Sequence, residues 1–145
     1  MYKRGMVTRV MPVYNEEKTV ETIVRRVLAQ KFVDEIIAVD DGLKDPSLEK
    51  LRKLQSKNNK IKLLMNKVNR RKGATIIKGI AHVKDGIIII QDADLEYFTE
   101  DHPKLLKASE SRRYNSRTFE EGKKINFIYG IKETLYILVN AFRHS

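Results

Sequence analysis

The sequence predicts an α/β fold, a mostly parallel sheet with helices on both faces. Short apolar runs alternate with segments of helical period from residue 7 to residue 91, the pattern of strands joined by crossover helices. The run Ile87-Ile88-Ile89-Ile90 is apolar without alternation, as a strand covered on both faces must be. A third feature locates the chemistry. Polar residues fall at the ends of the apolar runs, where ligands of such sheets bind.

Each element follows from its own pattern. Val7 to Tyr14 is strand one. Asn15 suits an N-cap, and Glu16 and Glu17 suit the positive first turn of a helix whose Val20, Ile23, Val24, Val27 and Leu28 form one buried stripe. Glu35 to Asp40 is strand two. Asp45 and Pro46 open a second helix as N-cap and first-turn proline, with Leu48, Leu51 and Leu54 inward. Ile61 to Met65 is strand three, and Gly73 to Val83 a third helix with Ala74, Ile76, Ile77, Ile80 and Ala81 toward the sheet. Ile87 to Gln91 is strand four. Beyond it Asp101 to Ala108 reads as helical, and Phe127, Ile128, Ile131, Leu135, Leu138, Val139 and Phe142 predict a last amphipathic helix.

Composition bounds the function. The 145 residues are the length of one domain, and 41% hydrophobic residues suffice for a core. With no cysteine, disulfides, thiolate nucleophiles and zinc-thiolate sites are excluded. No apolar run approaches the ~20 residues that span a bilayer, and the start lacks the apolar core of a signal peptide. A cytoplasmic protein, or one peripheral at the cytoplasmic face of the membrane, is expected. The net charge of +10 attracts phosphates of any kind, but the basic residues are scattered, with only short clusters such as Asn69-Arg70-Arg71-Lys72. They read as solvated faces, and no nucleic acid is expected as a partner.

The strand ends carry the candidate site. Strand one ends in Pro12-Val13-Tyr14-Asn15-Glu16, strand two in Asp40-Asp41-Gly42, and strand four in Asp92-Ala93-Asp94-Leu95-Glu96. In extended backbone, residues two apart share a side, so Asp92, Asp94 and Glu96 are placed to converge on one cation through hard oxygen ligands. Other site chemistries fail on the sequence. No G-x-G-x-x-G follows strand one, Arg70-Arg71-Lys72-Gly73-Ala74-Thr75 does not supply a Walker loop, and there is no G-x-S-x-G elbow. His82, His102 and His144 lie outside the acidic clusters.

Pro12-Val13-Tyr14-Asn15-Glu16-Glu17, Val39-Asp40-Asp41-Gly42, Lys72-Gly73-Ala74 and Gln91-Asp92-Ala93-Asp94-Leu95-Glu96-Tyr97 together resemble the ordered motifs of family-two glycosyltransferases of the GT-A fold. The most similar subgroup is the dolichyl-phosphate and polyprenyl-phosphate mannosyl- and glucosyltransferases, and the match runs from about Met6 to Leu106. The resemblance implies a nucleotide-sugar donor of the UDP-glucose or GDP-mannose type, with Pro12, Tyr14, Glu16 and Asp40 around base and ribose. Asp41, Lys72 and Ala93 complete the implied substrate-binding set. It implies Mg or Mn held by Asp92 and Asp94 with Glu96 completing the shell, bridging the donor diphosphate, and transfer with inversion. Asp94 and Arg117 take the catalytic parts, the arginine holding a donor or acceptor phosphate in Tyr114-Asn115-Ser116-Arg117, which is similar to the family's Tyr-Gly-Ser-Arg segment.

A lipid phosphate is anionic at neutral pH and needs no general base, which fits a chain with no evident base beyond the metal motif. A lipid-phosphate acceptor at a membrane surface is therefore expected. The chain also departs from the pattern. Gly42-Leu43-Lys44-Asp45-Pro46 alters the turn after strand two, Arg71 replaces a common glycine, Phe98-Thr99 replaces Asp-Pro, and Arg9 occupies a strand position where an apolar residue is expected. A guanidinium there needs a partner or an exposed edge. The strand expected before Tyr114 is reduced to Glu110-Ser111-Arg112-Arg113, and Ser145 precedes the family's next, acceptor-side segment. One domain over 1–145 is expected, well matched over 6–106 and incomplete on the C-terminal side, binding donor but transferring sugar poorly or not at all. The alternative is a truncated, non-catalytic relative that binds nucleotide or a partner chain, and a third reading, which makes the basic surface primary, is a nucleic-acid-binding protein.

Overall fold

The structure is a computed structural model that describes residues 6–42, 46–84, 86–91 and 93, together with the backbone of 117–119, 123–129 and 135–141. In chain order the elements are β1 (Val7–Val13), α1 (Val20–Leu28), β2 (Glu35–Asp40), α2 (Ser47–Lys57), β3 (Ile61–Met65), α3 (Arg71–Ala81), β4 (Gly86–Ile90), β5 (Arg117–Phe119), β6 (Lys123–Tyr129) and β7 (Leu135–Ala141). They form one seven-stranded sheet in the order β3-β2-β1-β4-β7-β6-β5. β1 to β4 are mutually parallel, and β7, β6 and β5 continue the sheet antiparallel from the edge of β4.

The isoleucine run behaves as a strand between two layers. Ile88 and Ile90 join Val10, Ile37, Val39 and Val83, with Ile76 and Ile80 of α3 packed against them. Ile89 packs with Val7 on the other side, where Phe32 covers both. On that side lies the larger core, in which Val20, Ile23, Val24 and Val27 of α1 are all fully buried against Met11, Val13 and Ile36. Their spacing of three and four residues puts them on one stripe of the helix, each worth ~1.5–3 kcal/mol of burial. Leu51 and Leu54 bring α2 onto the same cluster.

Arg9 finds its partners inside the molecule. Fully buried in β1, it donates from Nη1 to Gln91 Oε1 at 2.9 Å and from Nη2 to Gln30 Oε1 at 2.7 Å, and its guanidinium lies 5.7 Å from the centre of the Phe32 ring. The charge is thus dispersed over carboxamide dipoles and an aromatic face.

The structure corrects three expectations. α1 starts at Val20 rather than beside Asn15: Asn15 takes φ 55, a left-handed conformation that asparagine tolerates, and the Glu16 carbonyl accepts from the N–H groups of Thr19 and Val20 in an intervening turn. α3 is rotated from the expected face, with Thr75 and Gly79 buried and Ile77 56% exposed, because Gly79 permits a close approach to Val10 and Val39 that a larger residue would block. The expected last helix is not formed by its described residues, and Ile131 and Phe142 lie outside them. Phe127 and Ile128 lie in β6, and Leu135, Leu138 and Val139 in β7, an antiparallel pair in which Tyr129 faces Leu135 and Lys123 faces Ala141. Both stretches are rich in aromatic and β-branched residues, and β4 offers an unfilled edge. The helix expected over 101–108 lies outside the described residues.

Candidate functional site

The strand order reverses between β1 and β4: β2 and β3 extend from one side of β1, and β4 lies on the other. In a parallel sheet this is the crevice that receives ligands, at the carboxyl ends of the strands. The register brings the predicted polar residues to that edge. Val13 is level with Asp40, and Asp40 with Met65, while β4 pairs with β1 only as far as Val10 opposite Ile90. Backbone hydrogen bonds continue the edge beyond the strands, from Gln91 N–H to the Val10 carbonyl and from Asp41 N–H to the Val13 carbonyl.

Pro12 is tolerated in this central strand for a local reason. The Val13 carbonyl points toward β2, so the nitrogen of Pro12 points the other way, past the end of the β1–β4 pairing. The β1–β4 ladder ends there: Gln91 N–H donates to the Val10 carbonyl, and proline has no N–H to make the next bond. Tyr14 follows, 55% exposed at the mouth of the crevice, and the left-handed turn at Asn15 brings Glu16 back toward α1. The Thr19 hydroxyl oxygen lies 2.9 Å from Glu16 Oε2 and 2.6 Å from the Ala93 carbonyl oxygen, joining the segment after β1 to the segment after β4.

Asp40 and Asp41 are both buried at the end of β2. The Asp40 carbonyl accepts from the Asn66 N–H at 2.8 Å. The Asp41 carboxylate accepts at Oδ1 from the Arg70 N–H at 2.7 Å and from the Asn66 amide at 2.9 Å. The Asn66 amide also reaches the Thr75 hydroxyl at 3.1 Å, Thr75 donates to the Arg71 carbonyl, and Lys78 Nζ donates to Asn66 Oδ1. Burial pushes the Asp41 carboxyl up, but the Arg70 N–H, the Asn66 amide, the Thr75 hydroxyl and the Arg71 N–H together outweigh it and hold the group below its ordinary value. One oxygen of Asp41 is thereby committed to fixing residues 66–70, the basic loop that leads into α3. The backbone of that loop also closes over Gly42, whose φ is +75 and where a Cβ would stand 2.6 Å from the Asn69 nitrogen.

Of the predicted residues, Pro12, Tyr14, Glu16, Asp40, Asp41 and the buried Ala93 are brought to this edge, and Lys72 is exposed in the first turn of α3. Asp92, Asp94 and Glu96 lie outside the described residues, as do Tyr114, Asn115 and Ser116. Arg117 opens β5. It pairs with Ile125, which pairs with Val139, which pairs with Gly86, so it is level with the start of β4 and separated from it by β6 and β7. That register does not bring Arg117 to the carboxyl edge. Thr19, Asn66 and Thr75 were not predicted. The signal for Thr19 was its place three residues after Glu16, whereas Asn66 and Thr75 have meaning only through contacts that the fold creates.

Among the described residues no helix is long and apolar enough to cross a membrane. Residues 8–134 match the family model described as Glycosyl transferase family 2. The chain is 37% identical over 112 residues to an undecaprenyl-phosphate 4-deoxy-4-formamido-L-arabinose transferase of Photorhabdus laumondii, with 72% of this chain and 34% of the relative covered. The corresponding transferase of Edwardsiella ictaluri is 32% identical, with the same shares covered. The chain therefore spans about a third of the length of these relatives. Among solved structures, a mannosyltransferase from Pyrobaculum calidifontis in complex with GDP-Man and Mn2+ superposes with a TM-score of 0.62 at 23% identity, over 68% of this chain and 30% of that one. Residues 1–349 of TarS from S. aureus give a TM-score of 0.62 at 19% identity, over 81% of this chain and 39% of that one. The parallel sheet and its helices are those of the GT-A fold, and the chain belongs to glycosyl transferase family 2.

Proposed function

We propose that this chain is the donor-binding part of a glycosyltransferase, taking a nucleotide-diphospho-sugar with a divalent cation at the β1–β4 crevice, in a lineage that transfers a hexose to a lipid phosphate with inversion. The observation that carries the reading is the convergence of the segments after β1, β2 and β4 on one edge, with Thr19 joining the first to the last. Two kinds of relative support it. The curated ones are named as undecaprenyl-phosphate transferases of 4-deoxy-4-formamido-L-arabinose, a pentose derivative, which supports the lipid-phosphate acceptor, and the mannosyltransferase structure holds a hexose donor, GDP-Man, with Mn2+.

Tyr14, exposed beside the crevice, offers a ring face to the base, and the Glu16 and Asp40 carboxylates offer acceptors to base N–H and ribose hydroxyl groups. Asp41 works indirectly, by fixing the loop that places Arg70, Arg71 and Lys72 near the phosphates. The donor set fits Mg or Mn. Asp92 and Asp94 flank Ala93, whose backbone is anchored at the carboxyl edge, and carboxylates are the hard ligands these ions prefer. When bound, the ion neutralises charge on the departing nucleoside diphosphate. The register of β5 sets Arg117 away from this edge, so Arg117→Ala should leave donor affinity unchanged while Lys72→Ala weakens it. A lipid-phosphate acceptor would bring the protein to the membrane surface, where the net charge of +10 favours anionic head groups.

Calorimetry with UDP and GDP tests the core of the reading. Binding should be strong in Mn, abolished by chelation, and weakened at least tenfold by Asp94→Ala. Equal affinity of wild type and Asp94→Ala in Mn would refute the metal assignment.

A further inference from the structure

We propose that the outer face of α3, with the loop that leads into it, is a docking surface for an anionic lipid membrane. The inference deepens the membrane-surface reading above, on which it rests, by assigning the contact to one face of the protein. Close packing of Gly79 on Val10 turns α3 so that Thr75 is buried while Ala74 and Ile77 are exposed. Ile77 is 56% exposed, and Val68 in the preceding loop 62%. The two belong to one surface, because Lys78 Nζ donates to the Met65 carbonyl and to Asn66 Oδ1 and so holds the loop alongside the helix. The Asp41 carboxylate holds the other end of that loop at the Arg70 N–H, so Val68 is presented on fixed backbone.

Charge marks the same face. Residues 61–84 contain seven Lys or Arg and no Asp or Glu. The exposed Lys67, Arg70 and Arg71 flank Val68 in the chain, and Lys84 follows the helix. On the opposite side of the sheet α1 and α2 carry both signs, with Arg25 paired to Glu21 and Lys53 to Glu49. Exposed apolar side chains set among cations suit the interface of an anionic bilayer, where acyl chains cover the first and head-group phosphates meet the second. Each cation near such a surface strengthens binding about fivefold. A nucleic acid would also attract the cations, but residues 61–84 include no Phe, Tyr or Trp on which a base could stack, and phosphate contacts would leave Val68 and Ile77 uncovered.

The test is co-sedimentation of the whole chain with vesicles of equal parts phosphatidylglycerol and phosphatidylcholine, beside vesicles of phosphatidylcholine alone, with no nucleotide or metal added. Wild type should bind the anionic vesicles and leave the neutral ones in suspension unbound. Val68→Ser combined with Ile77→Ser should weaken binding about tenfold, with a urea midpoint close to wild type because both side chains are exposed. Lys67→Gln combined with Lys84→Gln should weaken it about tenfold or more. Arg26→Gln combined with Lys57→Gln removes the same charge from the exposed surface of α1 and α2, and should stay within about threefold of wild type. Equal losses from the two charge pairs would overturn the proposal, because net charge and not this face would then draw the protein to the membrane. So would wild-type binding by the serine pair. Tighter binding to duplex DNA at the same salt, unchanged in the serine pair, would give the face to nucleic acid and overturn the proposal as well. Failure of wild type to bind anionic vesicles would overturn the membrane-surface reading and this inference together, while donor binding is judged separately by its own calorimetry.

Discussion

Replacing Gly79 with alanine sets two known effects against each other. In a helix interior alanine is favoured over glycine by about 1 kcal/mol. Against that, a Cβ on Gly79 would stand 2.4 Å from Val10 Cγ1 and 3.2 Å from Val39 Cγ2. Carbon atoms in contact prefer about 3.5–4.0 Å, so Val10 and the helix must separate by about 1 Å. Neither valine has room to yield. Both are fully buried in adjacent strands, and a β-branched side chain has little freedom at χ1. Forcing a methyl group into such packing costs about 1–3 kcal/mol, and the upper part of that range applies because two stiff neighbours block the escape routes. The net expectation is a loss of about 1–2 kcal/mol. Urea unfolding followed by circular dichroism measures it as a lower midpoint at unchanged slope. Val10→Ala in the Gly79→Ala background should recover part of the loss, giving a coupling of about 1 kcal/mol between the two sites. A Gly79→Ala protein as stable as wild type, or more so, would refute the close packing of α3 on β1.

Asp41→Asn keeps the shape of the carboxylate but removes the charge that strengthens its bonds to the Arg70 N–H and the Asn66 amide, and should cost about 1–2 kcal/mol at neutral pH. Because the folded-state pKa of Asp41 lies below the ordinary 3.8, its contribution is present above that value and is lost as pH falls through the lowered one. Wild type should therefore lose more stability than Asp41→Asn on acidification in that window, and parallel acid profiles would contradict the network. Arg71→Gly relieves a left-handed backbone at φ 69, which costs an L-residue about 1–2 kcal/mol, and a gain of about 0.5–1 kcal/mol in thermal or urea unfolding is expected. A lower midpoint would show that the Arg71 side chain stabilises more than its backbone strains.

Sequence alone determined the parallel half of the fold and where its chemistry lies. Two-sided burial leaves a mark in the chain itself, so Ile88, Ile89 and Ile90 announce an interior strand, and Val20, Ile23, Val24 and Val27 announce a helix face. Strand ends follow from the same periodicity, and with them the place of Tyr14, Asp40 and Ala93 at one edge. Tertiary structure decided what depends on non-local pairing. Phe127, Leu135 and Leu138 fit helical spacing as well as strand spacing, and the choice fell to strands because the edge of β4 has backbone groups to satisfy. The face of α3 turned on Gly79, whose small size matters only opposite Val10. Asp41 could be identified as an acidic residue in a turn, but its bond to Asn66 and to the Arg70 N–H exists because β3 and its following loop fold back beside β2. Thr19 reaches Ala93 for the same reason: β1 and β4 are neighbours in the sheet and far apart in the chain, and periodicity carries no information about which strands will be neighbours.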